Sequence, residues 1–107
     1  ADTCARFVRA SVDGLKLLLN DIPGGMAALK RREPLFDEAL EARRFAMTRD
    51  RSILTPNSRA NGLGHLDMAR ARQLIEVNAE ALGVANPPSV ESMFTDRFLP
   101  PRLDRMI

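Results

Sequence analysis

The chain has 107 residues, 45% of them hydrophobic and 28% charged, with 16 Lys plus Arg against 14 Asp plus Glu for a formal charge of +2. That is one domain's worth of globular sequence, too apolar for a disordered chain and too short for a multidomain enzyme. Trp and Tyr are absent and five Phe supply all the aromatic bulk, so a core has to be built from Leu, Ala, Met and Val, which favours helix on helix. The small charge excess gives solubility and names no partner.

The first residues, Ala1-Asp2-Thr3-Cys4, carry no initiator Met, no basic n-region and no apolar h-region, so the chain is expected to begin after a cut. From Cys4 to Leu19 the apolar residues Cys4, Phe7, Val8, Val12, Leu15, Leu18 and Leu19 recur at spacings of three and four, the period of an amphipathic helix. Asp2 or Thr3 is the expected cap, and Asn20-Asp21 before Pro23 the expected end. Gly14 falls inside this pattern at a cost of about 1 kcal/mol relative to Ala, which points to close packing against a neighbour.

Pro23 suits the first turn of a short second helix through Met26, Ala27, Ala28 and Leu29. Lys30, Arg31 and Arg32 then lie where the helix C-terminus welcomes positive charge, ahead of Pro34. A third helix is predicted from Asp37, its cap, to about Arg49, with Glu38 and Glu41 near its start, a reach from either to a residue three or four along, and Met47 continuing the apolar face. Asp50 to Leu66 reads as a connector, because Thr55-Pro56-Asn57-Ser58 and Asn61-Gly62-Leu63-Gly64 crowd turn formers together. Asp67 caps the clearest helix, whose Ala71, Leu74, Ile75, Asn78, Ala79 and Leu82 share a face and which Gly83 stops in the left-handed conformation. Ser89 caps a short turn through Val90, Met93 and Phe94. Leu103, Met106 and Ile107 in the tail argue for docking onto another surface. No segment alternates with the two-residue period of a strand, so the reading is an all-α chain of four main helices and one short turn.

Sets of residues that carry chemistry are scarce. His65 is the sole histidine and Cys4 the sole cysteine, so zinc and Ser-His-Asp readings lack partners and a structural or surface role is expected for His65. Cys4 cannot close an intrachain disulfide and is expected to be a buried or idle thiol. Gly62-Leu63-Gly64 follows no strand and lacks the third glycine of a dinucleotide fingerprint. Between Lys30 and Arg59 eight basic residues are interleaved with five acidic ones, without the pure basic face and stacking aromatics of a nucleic-acid surface. No catalytic residue, metal ligand or cofactor is assigned.

The order of three segments is more informative. Phe7-Val8-Arg9-Ala10-Ser11-Val12-Asp13-Gly14, then Gly62-Leu63-Gly64-His65-Leu66-Asp67 leading into the Ala69 to Gly83 helix, then Met93-Phe94-Thr95-Asp96-Arg97-Phe98-Leu99-Pro100 resemble the C-terminal third of the periplasmic substrate-binding proteins of nitrate/sulfonate/taurine-type ABC importers. That family also includes binding proteins for thiamine pyrimidine precursors. The resemblance implies that residues 1–107 are a single helical fragment of a larger solute-binding protein. Its helices would flank the sheet of a two-lobed α/β periplasmic-binding-protein fold of type II. It further implies a non-enzymatic periplasmic role: binding a small solute, anions being among the candidates, and delivering it to the permease, with contact to the membrane only through that permease and none to nucleic acid.

The resemblance implies that the ligand-contacting residues lie largely in portions outside this chain, so none is carried over and the ligand-binding residues stay unassigned. Arg49, Arg51 and Arg59 are of a type that pairs with sulfonate, phosphate or carboxylate, although ordinary surface pairing explains them as well. Phe7, Leu15, Leu40, Leu74, Ile75, Leu82 and Phe98 would partly serve to cover the sheet, leaving apolar surface and self-association in the isolated piece. The alternative from another class is a small autonomous helical protein-interaction or nucleic-acid adaptor module.

Overall fold

The computed structural model describes all residues from Ala1 to Ile107. It is helical throughout, without strands. Six α-helices run in order: α1 Asp2–Asn20, α2 Ile22–Arg32, α3 Glu38–Thr48, α4 Pro56–Asn61, α5 Met68–Leu82 and α6 Val90–Met93. A single π turn, Arg49–Ile53, extends α3, and a 3₁₀ turn, Arg102–Arg105, lies near the end of the chain.

Local chemistry explains most of these boundaries. Asp21 ends α1 and caps α2 by accepting a hydrogen bond from the Gly24 amide, with Pro23 in the first turn. Asp37 accepts from Leu40 and Asp67 from Arg70 at 3.0 Å each, and Ser89 from Ser92, each tying down an amide that the helix ladder leaves free. Gly83, at φ 69°, provides the left-handed stop of α5. The predicted Glu41 pair is present, to Arg44 at 2.6 Å.

Four expectations are corrected. The first helix begins earlier than its apolar pattern, with Ala1 in the cap position and neither Asp2 nor Thr3 capping; Asp2 pairs with Arg6 at 3.1 Å. The supposed connector holds the π turn and α4, because Thr55 and Ser58 form a capping box around Pro56, so the turn formers start a helix. A Cβ on Gly14 would meet nothing within 4 Å, so no neighbour within the chain accounts for that glycine. Met47 is exposed. Of the two states expected for Cys4, buried or idle, its exposure excludes the buried one.

The helices pack in series, α1 on α2, α2 on α3 and α5 on α6. The result measures 47 × 31 × 27 Å, with a radius of gyration of 16.7 Å against about 13 Å for a compact domain of this length. Only ten residues are buried, among them Val12, Met26, Leu63, Ala71, Ala79 and Val90. Phe7, Leu74 and Leu82, three of the residues expected to leave apolar surface, are more than half exposed.

Candidate functional site

Two places gather side chains from separate parts of the chain. The first is a junction where the tail folds back on the loop after α4. Gly62 stands at φ 87°, ψ 163°, a region open essentially to glycine alone, and a Cβ there would lie 3.1–3.2 Å from the Cβ, carbonyl carbon and oxygen of Arg105. This close approach lets the Leu63 amide donate to the Arg105 carbonyl at 2.9 Å. Arg105 in turn is buried, and its guanidinium donates to the carbonyls of Leu63 at 2.6 Å and Pro100 at 2.8 Å. Arg102 donates to the Ala60 carbonyl. From α1, Arg9 pairs with the Asp104 carboxylate at 3.0 Å and Lys16 donates to the Asp104 carbonyl at 2.9 Å. The tail does dock, as its composition suggests, yet through arginines and main-chain carbonyls, with Leu103 left 78% exposed.

The second place is an open groove of about 780 Å³ between the π turn, α4, α5 and α6, within the usual size range of ligand pockets. Leu74 and Ile75 of α5 with Met93 and Phe94 form its apolar lining. Arg51 arrives from the π turn and Arg70 from the first turn of α5, and neither forms an ion pair within the chain. Asn57 and His65 form the polar wall. Asn57 Nδ2 donates to the His65 carbonyl at 3.1 Å, and its Oδ1 accepts from Asn61. That oxygen also lies 2.9 Å from His65 Nδ1.

The groove brings together some of the sequence candidates and excludes others. Arg51 and His65 line it. Arg49 does not: its Nε and Nη2 hold Asp50 at 2.7 and 3.1 Å. Those hydrogen bonds keep the Asp50 carboxyl below its ordinary range and raise Arg49 above its own. Arg59 is exposed on α4, outside the groove. Sequence reasoning missed Arg70, Asn57 and Phe94, which face one space only because α4, α5 and α6 converge. Cys4 lines neither site.

Chemically the groove offers two cations over an apolar floor, with Asp67 already committed to capping α5. It can seat an apolar body with an anionic or hydrogen-bond-accepting head. The side-chain hydrogen bond of the His65 ring goes to Asn57, and Thr55 is held in its capping box with Ser58. No three His, Cys, Asp or Glu side chains assemble as a metal-binding group. Compared with known protein families, with curated proteins and with solved structures, the chain matches none.

Proposed function

We propose that the chain is the C-terminal, mainly scaffolding part of the solute-binding component of a nitrate/sulfonate/taurine-type ABC importer. The full-length protein would hold a small anionic solute between the two lobes of a type II periplasmic-binding fold, in the periplasm, and deliver it to the permease. No helix of the chain is long and apolar enough to cross a membrane, and on this reading it meets the membrane only through that permease. The solute itself would be gripped mostly by residues outside this chain, and the closed state would be favoured by contacts to both lobes.

One observation carries the reading. The three segments on which the resemblance rests are far apart in sequence and come together in the fold: a Cβ on Gly64 would lie 3.0 Å from Leu99, and Arg9 of α1 lines one small cavity with Phe98, Leu99 and Pro100. Segments that build one structural unit are expected to keep their order together. The open, elongated shape also suits helices that lie over a sheet elsewhere in a larger molecule, and by itself such a chain is expected to self-associate.

The test has two parts. The reading frame upstream of Ala1 should open with a secretory signal and continue in alternating strands and helices. The full-length protein should then bind one of nitrate, taurine, other sulfonates, aromatic carboxylates or pyrimidines by calorimetry, one solute per chain, and melt at higher temperature when saturated; ligand at 100 times Kd adds about 2.7 kcal/mol. A start codon immediately before Ala1 overturns the reading in favour of an autonomous helical interaction module. A full-length protein whose melting none of these solutes shifts removes the proposed solute class.

A further inference from the structure

The groove beside α5 continues beyond its polar wall. A narrower cleft of about 160 Å³ shares Ile75, Asn78 and Met93 with it and is walled further on by Leu82, Val84, Pro87 and Pro88. Together the two form a trough along one stripe of α5 from Arg70 to Leu82, about 18 Å long at 1.5 Å per residue. Charge is confined to one end: Arg51, Asp67 and Arg70 line the wide part, and no charged residue lines the narrow one. Asn78, the polar residue where they join, donates its side-chain amide back to the Leu74 carbonyl at 2.7 Å. Leu74, Leu82 and Met93 are each more than half exposed, so no part of the chain covers the trough.

We infer that the trough binds an unbranched aliphatic carboxylate, with its head paired to Arg51 and Arg70 and its chain laid along α5 toward Leu82. Charge selects the head. Neither guanidinium has an ion pair within the chain, and the Asp67 carboxylate beside them accepts from the Arg70 amide at 3.0 Å. Two cations against one anion leave a single positive charge, which a monocarboxylate balances and a dianion would exceed. The planar guanidinium fork matches a carboxylate in shape as well as in charge. The narrow end selects the tail. A helix of a partner protein, about 10–12 Å across with its side chains, is too wide for that cleft, whereas an extended methylene chain enters it. A compact anion such as nitrate or taurine would leave the Leu82 end uncovered.

Head and tail reinforce each other. An ion pair in open water contributes little, but an alkyl chain seated beside the two guanidinium groups excludes water from one side of the pair and strengthens it. The chain supplies most of the affinity: a fully buried methylene tightens binding about fourfold, and one with a side left wet about twofold. The ion pair sets the direction in which the chain lies. This site is distinct from the solute cleft of the proposed importer, whose gripping residues belong outside these 107 residues.

Calorimetric titration of the 107-residue chain with octanoate, decanoate and dodecanoate, each below its micelle-forming concentration, tests the site. One carboxylate should bind per chain, about two- to fourfold tighter for each added methylene. Decanol, which keeps the chain without the charge, should bind about tenfold more weakly than decanoate. Arg51→Gln with Arg70→Gln should bring decanoate down to the level of decanol and leave decanol unchanged, with circular dichroism unaltered. Leu82→Asp puts a charge where the far end of the chain lies, and should weaken dodecanoate about tenfold but octanoate less than about twofold. Arg59→Gln, outside the groove, should leave all three affinities as they are. The inference is overturned by equal binding of decanoate and decanol, by decanoate binding that survives the double substitution, by a Leu82→Asp effect that is the same at every chain length, or by a loss in Arg59→Gln. Failure of all three carboxylates overturns it too, and binding of an amphipathic Leu/Glu helical peptide by the same chain would then assign the trough to a protein partner. The importer reading is decided separately, by the reading frame and by the solutes of the full-length protein.

Discussion

At the Gly62–Gly64 junction two main-chain segments 42 residues apart are joined by a buried guanidinium that bonds two carbonyls, with a glycine in a conformation that other residues avoid. In the α2–α3 hairpin the connection is closed locally: Lys30 donates to the Phe36 carbonyl, the Phe36 amide to the Glu33 carbonyl, and α3 has no buried residue. The junction is thus held by groups that cannot be removed singly without stranding a partner, the hairpin by helix ladders, caps and half-exposed contacts. Burial determines the consequence, because the same hydrogen bond is replaced by water on the surface and by nothing inside.

The sharpest test of that contrast is a pair of deletions. Arg105→Ala should cost about 3 kcal/mol, because the Leu63 and Pro100 carbonyls lose a charged donor in a dry site. Lys30→Met, which removes a cationic donor of the hairpin, should cost under about 1 kcal/mol. Urea denaturation measures both, and equal losses would erase the distinction between the regions. Next in size are two glycines. Gly62→Ala should cost about 2 kcal/mol, combining an unfavourable backbone region with contact to the Arg105 backbone. Gly83→Ala meets only open space and should cost about 1 kcal/mol, the left-handed penalty alone. Equal losses at the two glycines would mean that the Arg105 contact adds nothing.

The same contrast separates what the sequence discloses from what it hides. The α5 helix was readable from Asp67 to Gly83, and the start of α3 from Asp37, because caps and stops act within a few residues of the signal. Helix α4 was hidden: at six residues it is too short to display periodicity, and Thr55, Pro56 and Ser58 are both turn formers and a cap, a first-turn proline and a capping-box partner. The junction was hidden for a different reason. An arginine in a tail reads as surface until the fold shows which carbonyls lack partners. Gly62 and Gly64 flanking Leu63 were the available signal of a close approach, and the position of Leu103 argued the wrong anchor. At the groove, Arg51 and His65 were visible as chemistry-bearing residues, while Arg70, Asn57 and Phe94 gain meaning only from the convergence of three helices.

Gly14 extends the comparison to α1. Its φ is ordinary and the space above it is empty, so Gly14→Ala should stabilise the folded chain by about 0.5–1 kcal/mol, through helix propensity and a less flexible unfolded state. Thermal melting at low protein concentration, where association is least, measures this effect. A loss of stability there would mean that a neighbour within the chain already occupies the space.

The smallest effect concerns pH. The hydrogen bonds from Arg49 hold the folded Asp50 carboxyl below its ordinary value, so the unfolded chain binds the proton more readily than the folded one. By linkage, the stabilising contribution of the pair is complete above the unfolded pKa, about 3.9, and fades as pH falls through the lower folded value. Asp50→Asn should therefore lower stability slightly near neutrality, where the pair is complete, leave it unchanged at pH values below the folded midpoint, and flatten the acid-side fall between the two. A carboxyl titration followed by NMR checks the sign, and an Asp50 midpoint at or above the ordinary value would show that the exposed pair does not persist in solution. At the junction no such dependence is expected of the Arg105 bonds, because their acceptors are carbonyl oxygens that do not titrate. Acid should therefore loosen the end of α3 before it weakens the contact between Arg105 and Leu63.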